Sequence, residues 1–588
     1  MDSLLWTIAN VDGVGLLGAL WRPFLISMAL YFSGYFVVWF SMLARVAHLT
    51  PAFRGLSPEE AVDILVVIPT LLRAPGDLDD LRDAASTVVG NRYPGRVVLV
   101  LAIDGSADQA ALVDELERWA DARRDDRTTI LVARQPQRAG KGVAVAVGAA
   151  RARQAFRDGL LPRMPPVFFN MDADGVLGPR TLERMVAKLV RKGRVTRQRP
   201  MIVASNVLVR REHYWSGALG FFTMRGQLAL QVAREYMTSI SIARNNRGIL
   251  PITGVSGALY ATWTELHEEA GRHAAFMHSL RFRDLAAWWL GAPPPSFARF
   301  DGAPNVAATA GPGDDTWMAW VATSARWRDG KLDLELPRSP LHALGRLLRS
   351  FVVRRIAYDP LARVYTATPT TVRALFKQRV RWNTSRAWLL SRFGRMPWFA
   401  WDLGALVMFD VALTLWLHGV ILVALFAWPF ASRPATWLGM LVLGYLVTLV
   451  LRAVATVLAM LQDHDVRGHW HKLLALPLSG LYHFIFNIVP TVVGLTREFL
   501  LFGVNTHFAP EQTLAASHTG RPALAYRLTR CAKLCWRALR HGDVPPGWFW
   551  LGWHATPWTA NGYAGWTDRA RKIGRGGVLP SPRGKRTS

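Results

Sequence analysis

Pro166-Val-Phe-Phe-Asn-Met171, followed at once by Asp172-Ala173-Asp174-Gly175, is the stretch whose reading decides the fold. The first six residues form a short, almost wholly apolar run with the character of a buried β-strand. Two carboxylates then stand at i and i+2, close to a glycine. Parallel sheets gather their ligands at the carboxyl ends of strands. A strand that runs out into Asp-Ala-Asp therefore points to a hard divalent cation, which prefers oxygen ligands and bridges to phosphates. Taken alone, such a pair is most often a solvated loop or a turn former, so its surroundings decide.

Similar runs lie on either side. Asp63-Ile-Leu-Val-Val-Ile-Pro69, Arg96-Val-Val-Leu-Val-Leu-Ala-Ile103, Thr129-Ile-Leu-Val-Ala133 and Met201-Ile-Val-Ala204 read as further strands. Helical patterns fit between them, as over Leu78 to Val89 and Ala107 to Arg123. Strands alternating with helices predict an α/β domain over roughly Leu56 to Pro337. Asp104 follows the second of these strands directly. Arg138-Ala-Gly-Lys141-Gly142 follows the third, where glycines allow close backbone approach and Lys141 supplies a point charge for phosphate. It is not a P-loop, because the leading Gly and the trailing Ser or Thr are missing.

The 588 residues carry 70 Lys and Arg against 42 Asp and Glu, for a net charge of +28, yet 51% are hydrophobic. That apolar content excludes a disordered basic chain, and 2 Cys exclude a disulfide scaffold. The charge suits either a nucleic-acid binder or a membrane protein with a basic cytoplasmic face. The apolar runs favour the membrane. Phe24 to Leu43, flanked by Arg22 and Arg45, is long enough to span a bilayer and reads as an uncleaved anchor. Phe399 to Phe430 contains Asp402, Asp410 and His418; Ala435 to Leu461 contains Arg452; Leu473 to Leu495 contains Pro477 and Pro490. The tail from Thr496 has 14 Lys and Arg against 4 Asp and Glu, which predicts a cytoplasmic tail. Three apolar runs after the α/β domain would instead leave it outside, unless one run is double or re-entrant.

Two further motifs complete the chemistry. Gly313-Asp314-Asp315-Thr316-Trp317 precedes a helical pattern. It reads either as a helix cap or as a general base for an acceptor hydroxyl. Gln378-Arg379-Val380-Arg381-Trp382 lies in a basic amphipathic stretch. In this order, Asp104, Asp172-x-Asp174, Asp315 and Gln378-x-x-Arg381-Trp382, with membrane segments on both sides, the chain resembles the membrane-embedded, processive family-2 glycosyltransferases. These include the cellulose, chitin and hyaluronan synthases. The resemblance runs from about Asp63 to Trp382.

It implies an α/β GT-A, Rossmann-like cytoplasmic domain inserted between α-helical transmembrane segments. Asp104, Lys141, Asp172 and Arg381 would bind the nucleotide sugar. Asp172 and Asp174 would hold Mg2+ or Mn2+ against its diphosphate, Asp174 as the more direct ligand. Asp315, with Asp314 beside it, would deprotonate the acceptor, giving inversion at the sugar carbon. Gln378, Trp382, Ser256 and Gly257 would form the acceptor site, the last two within Thr253-Gly-Val-Ser256-Gly257-Ala-Leu-Tyr260. The implied domains are 1–50 (membrane anchor), 51–338 (GT-A), 339–398 (amphipathic interfacial helices), 399–510 (channel helices) and 511–588 (basic aromatic-rich tail).

The implied activity is processive synthesis of a β-linked polysaccharide and its translocation across a bacterial inner membrane. The partners are a nucleotide sugar (UDP-glucose, UDP-N-acetylglucosamine or GDP-mannuronate), the growing polymer, membrane lipids and a separate regulatory or export subunit, with no nucleic acid. The alternatives are a non-processive transferase acting on a lipid, an alginate-type polymerase using GDP-mannuronate, and a transporter with an inactive domain. The long intervals around Asp315 depart from plain cellulose synthases. The tail shows no convincing cyclic-di-GMP-binding pattern, and Phe502-Gly-Val504-Asn505-Thr506-His507 only loosely echoes a gating segment. Gly13-Val-Gly15-Leu-Leu-Gly18 reads as helix packing, Cys531 and Cys535 make no metal site, and Asp463-His464-Asp465 with His469 and His471 reads as a polar loop between membrane helices. Arg452, Asp402, Asp410 and His418 either line a sugar path or pair between helices.

Overall fold

The computed structural model describes residues 53–136, 141–192, 198–214, 222–238, 254–279, 314–328, 331–353, 355–369, 371–393, 398–402, 404–408, 434–463 and 466–499. It also describes a few single residues between 252 and 292 and the pair 411–412. The N-terminal anchor, Asp410, His418, the 502–507 segment, the two cysteines and the basic tail lie outside these residues.

Among the described residues, ten strands form one sheet of eight and a separate hairpin. They are β1 (Ile64–Thr70), β2 (Val97–Asp104), β3 (Thr128–Gln135), β4 (Val167–Met171), β5 (Val176–Leu177), β6 (Ile202–Val209), β7 (Leu259–Trp263), β8 (Ala325–Arg328), β9 (Lys331–Leu334) and β10 (Ile356–Thr366). The large sheet runs β3-β2-β1-β4-β7-β6-β10-β5, while β8 and β9 pair by themselves. Strands β3, β2, β1 and β4 are parallel, and β7 is antiparallel to both β4 and β6. Strand β10 is parallel to β6 and antiparallel to β5. Six strands therefore end at one edge of the sheet, and the reversed β7 and β5 begin there.

The strands read from sequence are present because they are continuous apolar runs. Every residue from Ile64 to Ile68 is fully buried, each such side chain contributing about 1.5–3 kcal/mol by leaving water. Helices cover the two faces. One core layer joins Ile64, Val66 and Leu99 to Leu78, Leu81 and Val88 of α1 (Pro75–Val89). The other joins Leu65, Val67 and Phe168 to Val143, Val145 and Ala152 of α3 (Lys141–Arg157). Between these two helices in the chain, α2 (Ala110–Asp121) packs by Val113 and Leu116.

The later helices are α4 (Thr181–Val190), α5 (Met224–Glu235), α6 (Thr264–Ser279), α7 (Asp314–Ser324), α8 (Pro340–Val352) and α9 (Val372–Phe393). Strand β10 lies beyond the boundary expected at residue 338, and it sits inside the sheet between β6 and β5. The sheet thus extends into the stretch expected to be interfacial helices. Two helices of that stretch remain, α8 and α9 on either side of β10, and α8 leaves Leu341, Leu348 and Val352 exposed.

Among the described residues, two helices are long and apolar enough to cross a membrane, by length and composition. The first window, Gly444–Leu461, lies in α10 (Pro434–Gln462). The second, Trp470–Gly494, is a broken helix: 3-10 turns over Trp470–Leu478, a short α-helix Ser479–His483, a π-helical stretch Phe484–Ile488, and α11 (Val489–Phe499). Arg452 of α10 donates to the carbonyl of Ser479. Asp402 pairs with Arg346 at 2.9 Å, both nearly buried. These two charged residues therefore serve packing between elements, which supports the pairing reading over the sugar-path reading.

Candidate active site

The site is built where strand ends converge. Asp104 closes β2 and is buried; the chain then turns sharply at Gly105, whose φ of 78° suits a glycine. Lys141 opens α3 after β3. Asp172 follows β4, its backbone N–H donating to the carbonyl of Ala258 at 3.0 Å. That bond draws the start of β7, with Ser256 and Gly257, against the carboxylates.

Lys141 Nζ lies 2.5 Å from Asp172 Oδ1, and about a third of each side chain (35%) is exposed. A Cβ on Gly257 would stand 3.2 Å from Lys141 Nζ and 3.4 Å from Asp315 Oδ2. Only a residue without a side chain leaves that space open. Lys141, Asp172, Gly257 and Asp315, drawn from residues 174 positions apart, therefore share one small volume. Burial pushes the Asp172 carboxyl above its ordinary range; Lys141 opposes this, and the charges of Asp174 and Asp315 add to it.

Asp315 sits in the first turn of α7, where its Oδ1 accepts from the Thr316 N–H at 2.7 Å. The helix is anchored by fully buried Trp317, whose ring meets His273 of α6 edge-on at 5.5 Å. Asp314 is the first residue of α7, and its side chain lies outside what is described. Asp174 is held from two strands: its Oδ2 accepts from Thr366 Oγ1 at 2.8 Å, and its carbonyl accepts from Arg210 Nη2 at 2.9 Å. Neither Thr366 nor Arg210 is conspicuous in sequence. Thr366 ends β10, a strand the sequence pattern does not announce, and Arg210 directly follows β6.

The aromatic motif lies on α9. Gln378 and Trp382, four residues apart, share a helix face and are half-buried, whereas Arg381 is exposed. The buried residue is instead Arg379. Its guanidinium lies 4.3 Å from the Trp382 ring centroid and 2.8 Å from Glu235 Oε2. Tyr482 donates to that same oxygen at 2.6 Å. Tyr236 stands 6.3 Å from Trp382, centroid to centroid. Burial pushes its phenol up to about 12, and the charges of Asp174 and Asp172 contribute to that shift. Glu235 and Arg379 went unread because a buried ion pair has no local signature; the charged Arg234-Glu235 inside an apolar helical run was the available clue.

The donor set suits a divalent ion held partly by the protein. Among the described residues, no three His, Cys, Asp or Glu side chains form a ready-made metal cage. Asp172 and Asp174 supply carboxylate oxygens only, and the charge on Asp172 is disfavoured by burial and by its acidic neighbours. Mg2+ and the ions like it are usually held in this way, by one or two carboxylates with phosphate oxygens completing the shell.

No curated protein matches the chain. Among solved structures, a mannosyltransferase from Pyrobaculum calidifontis, in complex with GDP-Man and Mn2+, has 16% identity and a TM-score of 0.39, covering 79% of this chain and 99% of that one. GalNAc-T7 with UDP, GalNAc and Mn2+ has 15% identity and a TM-score of 0.18, over 26% and 24% of the two chains. A mycobacterial protein has 14% identity and a TM-score of 0.24, over 59% and 80%. Residues 65–244 match the model of glycosyl transferase family 2. That segment, which contains Asp104, Lys141, Asp172 and Asp174, is a family 2 glycosyltransferase domain.

Proposed function

We infer that the protein is a processive, inverting, metal-dependent glycosyltransferase. It takes a cytoplasmic nucleotide sugar, extends a β-linked polysaccharide, and passes the product through its own membrane helices in a bacterial inner membrane. The observation that carries this reading is the meeting of Lys141, Asp172 and Asp315 around Gly257 at the strand ends.

In this reading Asp104 lies on the nucleoside side. Lys141 and Arg381 attract the diphosphate. Asp172 and Asp174 hold Mg2+ or Mn2+, which when bound neutralises charge on the departing nucleoside diphosphate. Asp315 accepts the proton of the acceptor hydroxyl. The freed oxygen bonds to the anomeric carbon from the face opposite the diphosphate, whose bond to that carbon breaks. Gly257 and Ser256 let the acceptor approach the backbone closely, and Trp382 offers an aromatic face with Gln378 beside it.

The membrane part of the reading draws on α10. Its 29 residues leave Leu438, Val442, Leu446 and Val450 exposed along one side. An unbroken apolar face of that size suits lipid better than water. Arg338 and Arg349 flank the exposed stripe of α8 and suit anionic headgroups. The test is to offer the purified full chain a panel of UDP-glucose, UDP-N-acetylglucosamine and GDP-mannuronate with Mg2+ or Mn2+, and to size the product. A long polymer supports the reading. A single sugar added to a lipid would replace it with the non-processive one.

A further inference from the structure

Asp463 stands just past the C-terminal end of α10, the helix long enough to span a membrane, and its side chain is only 2% exposed. It does not face a polar loop. Its Oδ1 accepts from Asn206 Nδ2 at 2.8 Å and from Arg363 Nε at 3.1 Å. Its Oδ2 pairs with His469 Nε2, and its carbonyl accepts from Arg363 Nη2 at 2.6 Å. Asn206 belongs to β6 and Arg363 to β10, and the two are partners in the ladder.

This is also where the ladder is irregular. The β6–β10 register shifts between Tyr358 and Arg363. Asn206 Nδ2 reaches into the irregularity to the carbonyl of Pro360 at 2.8 Å, and Asp359 Oδ1 accepts from the N–H groups of Leu361 and Ala362. Asp463 is therefore inserted at the one shifted point between the two strands.

Both strands then lead to Asp174. Arg210, four residues beyond Asn206, holds its carbonyl, and Thr366, three residues beyond Arg363, holds its carboxylate. At about 3.3 Å per residue the pin lies only about 10–13 Å along the strands from the carboxylate they position. Sheet pairing alone does not require a buried carboxylate at this place, and burying one is costly unless its oxygens are fully used.

We propose that Asp463 is a positioning residue for the donor site. It fixes the β6–β10 irregularity, and through Arg210 and Thr366 it fixes Asp174, so that the end of the membrane-length helix and the diphosphate site move as one. This rests on the reading of Asp174 as a ligand for a divalent ion.

The test is Mn2+ binding to the full chain in detergent with UDP or GDP present, followed by electron paramagnetic resonance, alongside thermal unfolding. Four variants are compared with the unaltered protein: Asp463→Ala, Asp463→Asn, Asn206→Ala and Asp174→Asn. Asp463→Ala should weaken Mn2+ binding about tenfold or more, the range seen when outer-shell partners of metal ligands are lost. Asp463→Asn keeps an acceptor for Asn206 and Arg363 and should restore most of that affinity. Asn206→Ala should weaken binding by a smaller factor, and it carries the test if Asp463→Ala does not fold. Unaltered Mn2+ affinity in folded Asp463→Ala and Asn206→Ala proteins, with binding lost in Asp174→Asn, would overturn the pin and leave the metal reading standing. Equal Mn2+ binding by the unaltered and Asp174→Asn proteins would instead overturn the metal reading and the pin together.

Discussion

Replacing Glu235 by alanine strands a buried cation. The side chains of Arg379 and Glu235 are 4% and 11% exposed, so neither charge is compensated by water. Glu235 Oε2 receives Arg379 Nη2 at 2.8 Å and the Tyr482 hydroxyl at 2.6 Å. Breaking a buried pair by removing one partner costs about 3–5 kcal/mol, most of it the penalty on the charge left behind. In a domain of this size each kcal/mol moves the unfolding midpoint by about 2–4 °C, so Glu235→Ala should lower it by about 6–20 °C. Arg379→Met removes the stranded charge. In that background Glu235→Ala should cost only about 1–2 kcal/mol, leaving a coupling of about 1–4 kcal/mol between the two sites.

Function should follow Trp382, because the same guanidinium sits 4.3 Å from its ring. Losing that contact forfeits about 0.5–2 kcal/mol of ring positioning. Sugar transfer should fall while binding of UDP or GDP holds. The assay is a double-variant cycle of thermal unfolding in detergent, with transfer and nucleotide binding measured on each protein. Midpoint shifts that simply add across the cycle, or nucleotide binding that falls together with transfer, would refute the argument.

Three further outcomes follow from the geometry. Gly257→Ala places a methyl 3.2 Å from Lys141 Nζ and 3.4 Å from Asp315 Oδ2; both are ends of flexible side chains, so stability should hold within about 1 kcal/mol while transfer falls at least about tenfold, as initial rates would record. Lys141→Met removes the cation that favours the charged form of Asp172 against burial, so isothermal titration should show weaker nucleotide binding that falls further as pH drops. His267 and His273 are buried and pushed down to about 3, so their contribution to stability is full above the unfolded value near 6.5 and is lost as pH falls toward 3, by up to about 5 kcal/mol each. His267→Phe, which keeps the 3.9 Å stack on Phe168, should flatten the dependence of the unfolding midpoint on pH across that window.

Strands β1 to β4 and β6 were legible because a strand buried on both faces must be apolar throughout, and few other structures of that length are. Strand β10 was not. Its sequence, Ile356-Ala-Tyr-Asp-Pro-Leu-Ala-Arg-Val-Tyr-Thr366, carries Asp359, Pro360 and Arg363 in mid-strand, which reads as a breaker. The structure uses those residues to shape the irregularity where Asp463 inserts. The carboxylates were legible because they follow strands. Their company was not: Lys141 and Asp315 meet across Gly257 only because β7 runs backwards between β4 and β6, and reversed strands leave no mark on a one-dimensional pattern. Within Gln-Arg-Val-Arg-Trp the sequence offers two arginines of equal appearance. Burial against Glu235 separates Arg379 from the exposed Arg381.

The central claim is that the cleft around Gly257 transfers a sugar from a nucleotide with Asp315 as the base. The most direct measurement is nucleoside diphosphate release and polymer formation by the purified full chain, given UDP-glucose, UDP-N-acetylglucosamine and GDP-mannuronate in turn with Mn2+, beside the Asp315→Asn variant. One donor should yield both products, with Asp315→Asn slower by about a hundredfold or more while it still binds the nucleotide. Release from none of the donors, or polymer formation undiminished in Asp315→Asn, would contradict the claim.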